Sequence, residues 1–308
     1  MNAGSGADDK DDSRAKLEQG FGESGHRVQF HLIDKADDIE ATIAQAKQAC
    51  EADGGVLVAA GGDGTINATA SAAAGSEIPF AVVPMGTFNY FARDIGMPAD
   101  PKDAALAIAG GTVQPFHIAR INGHPFLVNA SIGLYVKLIQ NREKYRGTLG
   151  GRRAAAVVSG LLTALRGHAA MALDMKVDGK QRSLRTALVF LGKNYLQLKN
   201  LDFDIAEGIA AGQVGVIVLR DAAPRTLLGL AWRALRGRPE DTPKLHAFCT
   251  ESLEIKPRRA RIDVVLDGEI MTLKSPLKVT IDKNALQLVR PHPADSEAEK
   301  NSLAKAES

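Results

Sequence analysis

A short turn made of three glycines and one acid carries the first candidate chemistry of this chain. Residues 56–75 read VLVAAGGDGTINATASAAAG, a pattern typical of an apolar strand, a glycine turn and the start of a helix. Glycine lets backbone N–H groups approach a bound anion closely, and the N-terminus of a helix favours negative charge. We therefore predict a phosphate site in this turn, to which Thr65 adds a hydroxyl donor. The glycines that would supply the backbone groups are Gly61, Gly62 and Gly64.

Asp63 is the unusual residue of this turn, because a carboxylate would repel a phosphate placed beside it. One interpretation is that Asp63 is the N-cap of the following helix, a position where Asp is favoured. The other is that a Mg²⁺ ion lies between the carboxylate and a triphosphate, since Mg²⁺ is usually held by one or two carboxylates together with substrate phosphates. The residues of the turn alone leave both interpretations open.

A second glycine turn follows the next strand. Residues 80–98 read FAVVPMGTFNYFARDIGMP, in which a strand ends at Pro84, a tight turn contains Gly86, and a helix begins with Thr87 as its candidate N-cap. In a parallel sheet both turns lie at the carboxyl ends of strands, where ligands bind in such folds. Two helix N-termini that converge there would suit a polyanion.

These two turns together resemble the diacylglycerol kinase catalytic-domain family, which includes bacterial lipid kinases and sphingosine kinases. Its hallmark is GGDGT, here Gly61–Thr65, followed by P-x-G-T-x-N, here Pro84–Asn89. GGDGT alone is shared with NAD kinases and phosphofructokinases, so the second turn is the more specific match. With the YFARDIGMP that follows it, this turn looks most like a bacterial subgroup reading GTFNxFARDxGxP, and the resemblance covers roughly residues 2–290.

The amino terminus carries part of a further family motif. The family opens with a strand followed by NPxSG, whose loop contacts nucleotide phosphate, and this chain begins MNAGSG. Asn2, Ser5 and Gly6 fit that motif, while Ala3 replaces its proline. The strand before the motif is missing, so we expect either a truncated chain or a sheet that has lost its first strand.

The sequence Asp267-Gly268-Glu269 lies in a stretch reading RIDVVLDGEIMTL. Asp-Gly is a strong signal for a hairpin turn, and that is the simplest interpretation. The family carries the same D-G-E, and the resemblance implies that Glu269 is the base that deprotonates a lipid hydroxyl, with Asp267 orienting it or sharing its proton. An alcohol is a poor nucleophile, so a carboxylate that accepts its proton suits phosphoryl transfer.

The resemblance implies an ATP-dependent lipid kinase that passes the γ-phosphoryl group to a hydroxyl of diacylglycerol or a related lipid. Its expected cofactors are ATP and Mg²⁺, with Asp63 as the metal ligand and as a catalytic residue beside Glu269 and Asp267. The residues expected to bind the nucleotide are Asn2, Ser5, Gly6, Gly61, Gly62, Asp63, Gly64, Thr65, Asn67, Gly86, Thr87 and Asn89.

One family feature is broken in this chain. Many bacterial members carry a PxAxxxDG segment whose Asp helps to hold a structural Mg²⁺, and the corresponding stretch here is FDIAEGIAAGQVGV. The Asp position falls at Ala211, which leaves only backbone carbonyls such as those of Gly208 and Gln213. We therefore expect this structural site to be absent or weak.

Two rival functions remain open. An NAD-kinase-like enzyme on a soluble substrate would share GGDGT, but the P-x-G-T-x-N turn speaks against it. A non-catalytic protein that binds nucleotide or lipid is favoured by the missing first strand and by Ala211, while the intact GGDGT and DGE oppose it.

The elements around these motifs predict an α/β fold in two domains. Strands alternating with helices predict a doubly wound parallel sheet in a nucleotide-binding domain, residues 1–115. Hairpins at Asn122-Gly123 and Asp178-Gly179 predict an antiparallel β-sandwich, which would bind lipid and carry the D-G-E carboxylates, over residues 116–290, with a polar tail at 291–308. The predicted strands of the first domain are 26–33, 56–60 and 78–84, its predicted helices are 37–54, 67–74, 88–96 and 100–111, and two helical inserts are predicted in the second domain near 152–167 and 225–237.

Composition limits the partners of the protein. The 308 residues have a formal net charge of +2 and contain two distant cysteines, which argues against a nucleic-acid partner and suits a reducing cytoplasm. No apolar run is long enough to span a bilayer, so we expect a cytoplasmic protein with at most peripheral contact at the inner membrane face. A basic amphipathic stretch at 224–241 is a candidate for that contact and equally for a helix that covers the β-domain. The sequence does not indicate an oligomeric state.

Overall fold

The structure is a computed structural model that describes residue 1 and residues 7–33, 38–145, 170–193, 203–219 and 245–292. The chain divides into two compact units. The first consists of residues 1–118 together with the chain from residue 282 onward, and the second consists of residues 119–281. Strands β3 (Thr112–Ile121) and β14 (Leu277–Arg290) each run from one unit into the other.

The first unit is built on parallel strands. Strand β1 (Leu57–Gly61) pairs in parallel with β2 (Pro79–Pro84), and β2 pairs in parallel with the last part of β14 through Gln287 and Leu288. Both β1 and β2 are nearly continuous apolar runs, as expected of parallel strands that are covered on both faces. The prediction of α/β structure with parallel pairing in this region is confirmed.

Helices follow these strands. They are α1 (Ala7–Glu23), α2 (Ile39–Asp53), α3 (Asp63–Ala73), α4 (Tyr90–Asp94) and α5 (Pro101–Ala109). Helix α2 ends where it was expected to end, since Gly54 adopts a left-handed conformation with φ of 66°. Asp100 caps α5 by accepting the N–H groups of Lys102 and Asp103.

Two parts of the amino-terminal region differ from the prediction. Helix α1 is mostly polar and was not predicted. It packs closely on α5, since a Cβ atom on Gly20 would lie 2.7 Å from the Cβ of Ala105. The strand predicted at 26–33 is wrong, because only its end, at Ile33, makes a strand-like contact. There the N-terminal amine of Met1 donates to His31 O, and Ile33 N–H donates to Met1 O, at 2.8 and 2.9 Å.

The second unit consists mainly of antiparallel strands. Its elements besides β3 and β14 are β4 (His124–Phe126), β5 (Asn129–Gly133), α6 (Leu134–Tyr145), β6 (Met171–Val177), β7 (Lys180–Thr186), β8 (Leu188–Gly192), α7 (Phe203–Ala210), β9 (Val214–Leu219), β10 (Leu245–Thr250), β11 (Leu253–Pro257), β12 (Arg261–Leu266) and β13 (Glu269–Lys274). One sheet has the strand order β10-β9-β8-β5-β12-β13, and in the other β14, β11, β6 and β7 are neighbours and the hairpin β3–β4 joins β14.

The two sheets of the second unit pack on each other. Buried side chains from one sheet, such as Ile132 and Val189, share a single apolar cluster with Leu173, Met175 and Leu253 from the other. Alternating residues on each strand fill this core, which is the arrangement of a β-sandwich. The predicted α/β fold class with an antiparallel β-sandwich in the second half is confirmed.

Three two-residue turns close the hairpins that the sequence indicated. Asn122, Asp178 and Asp267 have φ values of 48°, 46° and 45°, and the glycine after each also has a positive φ. These values fit the turn type in which both central residues are left-handed, which explains the Asn-Gly and Asp-Gly pairs. The turn predictions at Asn122-Gly123, Asp178-Gly179 and Asp267-Gly268 are confirmed.

Several predictions fall on residues outside the described part of the chain. They are the motif residues Asn2, Ser5 and Gly6, the helical inserts near 152–167 and 225–237, the amphipathic stretch 224–241, and all but the first two residues of the tail 291–308. Within the described ranges, every helix is too short or too polar to cross a bilayer.

Candidate functional site

The two glycine turns meet at the carboxyl ends of neighbouring strands. Gly61, the last residue of β1, lies opposite Pro84, the last residue of β2, and Met85 N–H donates to Gly61 O at 2.9 Å. A Cβ atom on Gly86 would lie only 2.6 Å from the Cα atom of Gly62. The backbones of the two turns are therefore in direct contact, and a side chain at position 86 would push them apart.

The first turn presents the amino end of helix α3. Gly62 occupies the N-cap position in an extended conformation, and the first bond within the helix joins Ile66 N–H to Gly62 O at 3.0 Å. The backbone N–H groups before Ile66 have no partner within the helix, and the helix dipole adds partial positive charge at this end. Gly64 is exposed and leaves the approach to these groups open. An anion such as a phosphate would suit this arrangement.

Thr65 and Asn67 are less available to a ligand than the backbone. Thr65 is 5% exposed, and its side chain packs on Gly61, where a Cβ atom would lie 2.7 Å from the Cβ of Thr65. Asn67 is half-buried in the second turn of α3, where Ser71 Oγ donates to its backbone oxygen at 2.7 Å and to its Oδ1 at 3.2 Å. Main-chain groups therefore dominate the surface of this turn.

The second turn is closed by its own asparagine. Gly86 N–H donates to Oδ1 of Asn89 at 2.9 Å, and Nδ2 of Asn89 donates to Gly86 O at 2.8 Å. Asn89 holds a left-handed conformation with φ of 50° and occupies the N-cap position of α4. The prediction that Thr87 caps this helix is therefore wrong. We call the two hydrogen bonds between Asn89 and Gly86 the Asn89 clasp. Because Gly86 and Thr87 are exposed, this clasp fixes the backbone conformation of a solvent-accessible turn.

The carboxylate of Asp63 connects the two turns. It accepts the N–H group of Phe91 at 3.5 Å, and the N–H groups of Tyr90 and Asn89 also stabilise its charge. Asp63 is the first residue of α3 and not its N-cap, which is Gly62, so the interpretation of Asp63 as the cap of its own helix is wrong. It faces the beginning of the other helix, α4, instead.

The protonation of Asp63 reflects its position in the contact between the two turns. Burial raises the pKa of this carboxyl above its ordinary value of 3.8, and the backbone N–H groups of Phe91, Tyr90 and Asn89 oppose that rise. Desolvation is the larger effect, because burial disfavours the charged form of a carboxyl. A cation that entered the site would lower this pKa again.

Two aromatic rings lie on the solvent side of the second turn. Phe88 and Tyr90 stack with ring centroids 5.5 Å apart and ring planes 2° apart. Their side chains are 47% and 37% exposed, which is unusual for rings of this size. The left-handed Asn89 between them turns both rings to the same side of the loop.

The donor set of this site suits a nucleotide with its Mg²⁺ ion better than a metal alone. Among the described residues there is no group of three or more His, Cys, Asp or Glu side chains that could hold a metal. Asp63 contributes one carboxylate beside a cradle of backbone N–H groups. Because Mg²⁺ is usually held by one or two carboxylates together with phosphate oxygens, one carboxylate is sufficient when a polyphosphate is present.

In the second unit, Asp267 is held by the backbone. One of its carboxylate oxygens accepts Leu127 N–H at 2.8 Å, and the other accepts Val128 and Asn129 N–H at 2.9 and 2.8 Å. Asp267 N–H in turn donates to Asn129 O at 2.9 Å. The hairpin turn between β12 and β13 is thereby fastened to the start of β5.

Glu269 follows directly after this turn as the first residue of β13. It lies opposite Leu266 in the hairpin, and its side chain is exposed. Its position at the tip of a hairpin that Asp267 anchors gives it a fixed backbone and a solvent-facing carboxylate.

The segment around Ala211 forms the end of helix α7 and a tight turn. Gly212 has φ of 87°, and Gln213 N–H donates to Gly208 O at 2.8 Å. One of the backbone carbonyls that the sequence analysis named as a remaining ligand therefore already accepts a hydrogen bond.

Comparison with known proteins connects these features to a family. The family model described as the diacylglycerol kinase catalytic domain matches residues 1–121, which include both glycine turns. The resemblance to this family that the two turns indicated is therefore confirmed. The narrower GTFNxFARDxGxP subgroup stays a prediction.

Individual relatives agree with this assignment. The diacylglycerol kinase of Bacillus subtilis is 29% identical over 262 residues, which are 83% of this chain and 83% of that protein. A Pseudomonas aeruginosa protein named probable lipid kinase YegS-like is 41% identical over 117 residues, 37% of this chain and 38% of that protein. The crystal structure of a diacylglycerol kinase from Bacillus anthracis matches 95% of this chain and 96% of its own with a TM-score of 0.70 and 20% identity, which shows the fold.

Two features of the candidate site were not predicted from the sequence. One is the Asn89 clasp, which the P-x-G-T-x-N spacing could have indicated because Asn often bonds to a neighbouring turn backbone. The other is the bonding of Asp267 to residues 127–129, more than 130 residues away, for which no local signal exists.

Proposed function

We propose that this protein transfers the γ-phosphoryl group of ATP to a hydroxyl of diacylglycerol or a related lipid. The observation that carries the proposal is the contact between Gly62 and Gly86, which joins two glycine turns at neighbouring strand ends with Asp63 between them. A polyphosphate is the ligand class that such a paired cradle fits best. The resemblance to the diacylglycerol kinase family supports the lipid as acceptor.

The nucleotide would lie with its phosphates on the backbone N–H groups at the start of α3. Asp63 is the residue that would hold Mg²⁺, and the ion would supply neutralisation of the phosphate charge. The contribution of the chain is then positioning, since the clasp of Asn89 and the close packing of Gly62 on Gly86 fix the cradle before a ligand arrives. Asn2, Ser5 and Gly6 remain proposed nucleotide contacts from the family motif alone.

Glu269 is the proposed general base. Its carboxylate is exposed at the tip of a hairpin and can accept the proton of an approaching lipid hydroxyl. Asp267 has both oxygens engaged by backbone N–H groups, which favours the orienting role over proton sharing. In this proposal, Asp267 holds the turn that presents Glu269.

The site of action follows from the substrate. Because a long-chain lipid is confined to membranes, we place the activity in the cytoplasm at the inner membrane face, with peripheral contact. This placement rests on the proposed lipid acceptor.

A transfer assay tests the proposal. Purified protein is incubated with γ-labelled ATP, Mg²⁺ and a mixture of lipids, and label is measured separately in the lipid fraction and on soluble acceptors including NAD. We expect label in the lipid fraction that is lost in Glu269→Gln. Glu77→Gln, another exposed glutamate, is the matched control and should retain it.

Other outcomes point to the rival functions. Label on NAD with none on lipid would support an NAD-kinase-like enzyme. Binding of ATP or lipid without any transfer would support a non-catalytic binding protein. Transfer to lipid that survives in Glu269→Gln would remove Glu269 from the mechanism and leave the lipid kinase assignment in place.

A further inference from the structure

The outer face of the sheet β11–β6–β7 in the second unit is rich in cations. On these strands Leu173, Met175, Leu253 and Ile255 are buried in the sandwich core. Because successive residues of a strand point to opposite faces, their neighbours lie on the outer face, and residues paired across strands share a face. Several of those neighbours are Lys or Arg.

The first part of this face is set by the strand register. Lys256 lies opposite Asp174, and Asp174 lies opposite Ser183 on the next strand. Arg185 lies opposite Ala172. Arg258 comes directly after the end of β11, two residues beyond Lys256. The side chains of Arg185, Lys256 and Arg258 are all exposed.

A second row lies next to the first on the same face. Glu254 is paired with Lys176 on one side and with Lys278 on the other. Lys176 and Lys278 are exposed, and Glu254 is half-buried between them. The two rows together bring five cations, namely Lys176, Arg185, Lys256, Arg258 and Lys278, against two carboxylates. We call this set the basic sheet face.

The charge of the basic sheet face is only partly offset within the described part of the chain. None of its five cations is in an ion pair with any described residue. Asp174, the carboxylate nearest the centre, accepts the hydroxyl of Ser183. Like charges held on one surface raise the local potential and attract anions. The chain as a whole has a net charge of only +2, so this concentration on one face is a local feature.

This face is also concave. It borders an open hollow of about 690 Å³ whose described lining includes Ala172, Asp174, Ser183, Arg185, Lys256 and Arg258. Two arginines and a lysine around one hollow match the needs of phosphate oxygens, which arginine can bind with two parallel N–H groups.

We propose that the basic sheet face docks the protein on a membrane by binding the anionic head groups of phospholipids. Charge complementarity and the placing of Arg185, Lys256 and Arg258 around one hollow carry the inference. The choice of a lipid surface over other polyanions rests on the proposed function, because a lipid kinase must reach a substrate that stays in a bilayer. The docking site is distinct from the glycine turns and needs no nucleotide.

The test measures binding to sedimenting vesicles in the absence of ATP. Vesicles of phosphatidylcholine that contain about 30% phosphatidylglycerol by mole are compared with vesicles of phosphatidylcholine alone. Both are tested at low and at high salt. We expect binding to the anionic vesicles only, weakened by salt. Because each basic side chain near an anionic surface contributes about fivefold in affinity, Arg185→Gln/Lys256→Gln/Arg258→Gln should lose about 100-fold.

A second triple variant controls for net charge. Arg182→Gln/Arg261→Gln/Lys274→Gln removes three exposed cations that lie off the basic sheet face, Arg182 being on the opposite side of β7 from Arg185. It should bind vesicles like the wild type. Melting curves check that both triple variants are folded. Because the substituted side chains are exposed, we expect the melting temperature of each variant to match that of the wild type.

Three results would overturn the docking proposal. The first is absence of binding to anionic vesicles by the wild type, and the second is an equal loss in both triple variants. The third is binding of a short DNA duplex, lost only in the basic-sheet-face triple, without binding to vesicles, which would assign the face to a nucleic acid. None of these depends on phosphoryl transfer, and the activity on a short-chain, water-soluble diacylglycerol separates a failure of docking from a failure of the proposed function.

Discussion

The Cα atom of Gly62 occupies the space into which a side chain on Gly86 would project. A Cβ atom on Gly86 would lie 2.6 Å from it, whereas a Cβ atom on Gly62 would lie 3.5 Å from the Cα of Gly86, an ordinary contact. The contact between the two turns therefore has no room for a methyl group on Gly86 but has room for one on Gly62. This asymmetry follows from the direction of each Cα–Cβ bond.

Gly86→Ala should damage the cradle much more than Gly62→Ala. The added methyl group meets backbone, which cannot rotate away, so the turns must separate, and overpacking of this kind costs about 1–3 kcal/mol. We expect nucleotide affinity, measured by calorimetry, to fall about tenfold or more in Gly86→Ala. In the free energy of unfolding, Gly62→Ala should stay close to the wild type, and Gly22→Ala, with open space around it, is the control. Equal losses in the two turn variants would contradict the contact described here.

Asn89 can be tested through a series of three variants. Asn89→Ala removes both hydrogen bonds to Gly86 and places alanine at φ of 50°, so we expect a loss of about 2 kcal/mol in the free energy of unfolding. Asn89→Gly removes the bonds but accepts the left-handed backbone, and should lose about half as much. Asn89→Asp keeps the acceptor and should be intermediate. Chemical denaturation ranks the three, and Asn89→Gly as damaging as Asn89→Ala would show that backbone strain is unimportant.

Asp63 should give the metal-free protein a characteristic pH dependence. Burial raises the pKa of Asp63 in the folded state, so between its ordinary value of 3.8 and the raised value the native protein binds a proton that the unfolded chain does not. Stability is therefore greatest below this window and falls as pH rises through it. Asp63→Asn should remove that slope and leave stability at pH 7 equal or higher, while abolishing Mg²⁺-dependent transfer.

The measurement is denaturation at a series of pH values with a chelator present. An unchanged slope in Asp63→Asn would show that another group causes it. Asp63→Ala tests the role of Asp63 as a hydrogen-bond acceptor. Alanine also removes the acceptor for Phe91 N–H and should destabilise the start of α4.

Asp267 and Glu269 should respond oppositely in stability and activity. Asp267→Asn replaces one carboxylate oxygen by an NH₂ group that faces backbone N–H donors, so we expect a loss of about 2 kcal/mol in the free energy of unfolding. Glu269→Gln changes an exposed side chain and should leave stability within about 0.5 kcal/mol while removing phosphoryl transfer. If Asp267→Asn were fully stable, the anchoring role of its three hydrogen bonds would be wrong.

Local signals explain which parts of the fold were predictable. The turns at Asn122-Gly123 and Asp178-Gly179 need left-handed residues at two successive positions, and few residue pairs accept that, so two letters of sequence suffice. Apolar runs placed β1 and β2 correctly, since a buried parallel strand must be apolar on both faces. Residues 26–33 also have the sequence pattern of a strand, but they make a strand-like contact only at their end. The prediction of a strand there was therefore wrong.

Contacts between distant segments explain what was not predictable. Asp63 has a residue type that is favoured at N-caps and lies at the start of α3, yet its carboxylate faces Phe91, 28 residues later, because two strand ends bring the turns together. Helix α1 has no clear apolar stripe and is held by its close packing on α5, which the sequence of α1 does not reveal.

By itself the sequence determined the resemblance to the diacylglycerol kinase family, the alternation of strands and helices, and the two glycine turns. These follow from short-range rules, because backbone conformation and hydrophobic burial are encoded in residues that are neighbours along the chain. Only the tertiary structure decided that Gly62 rests on Gly86, that Asn89 clasps its own turn, and that Asp267 is bound by residues 127–129. Those relationships depend on where separate segments meet in space, and each is fixed by packing and hydrogen bonds that no stretch of sequence contains alone.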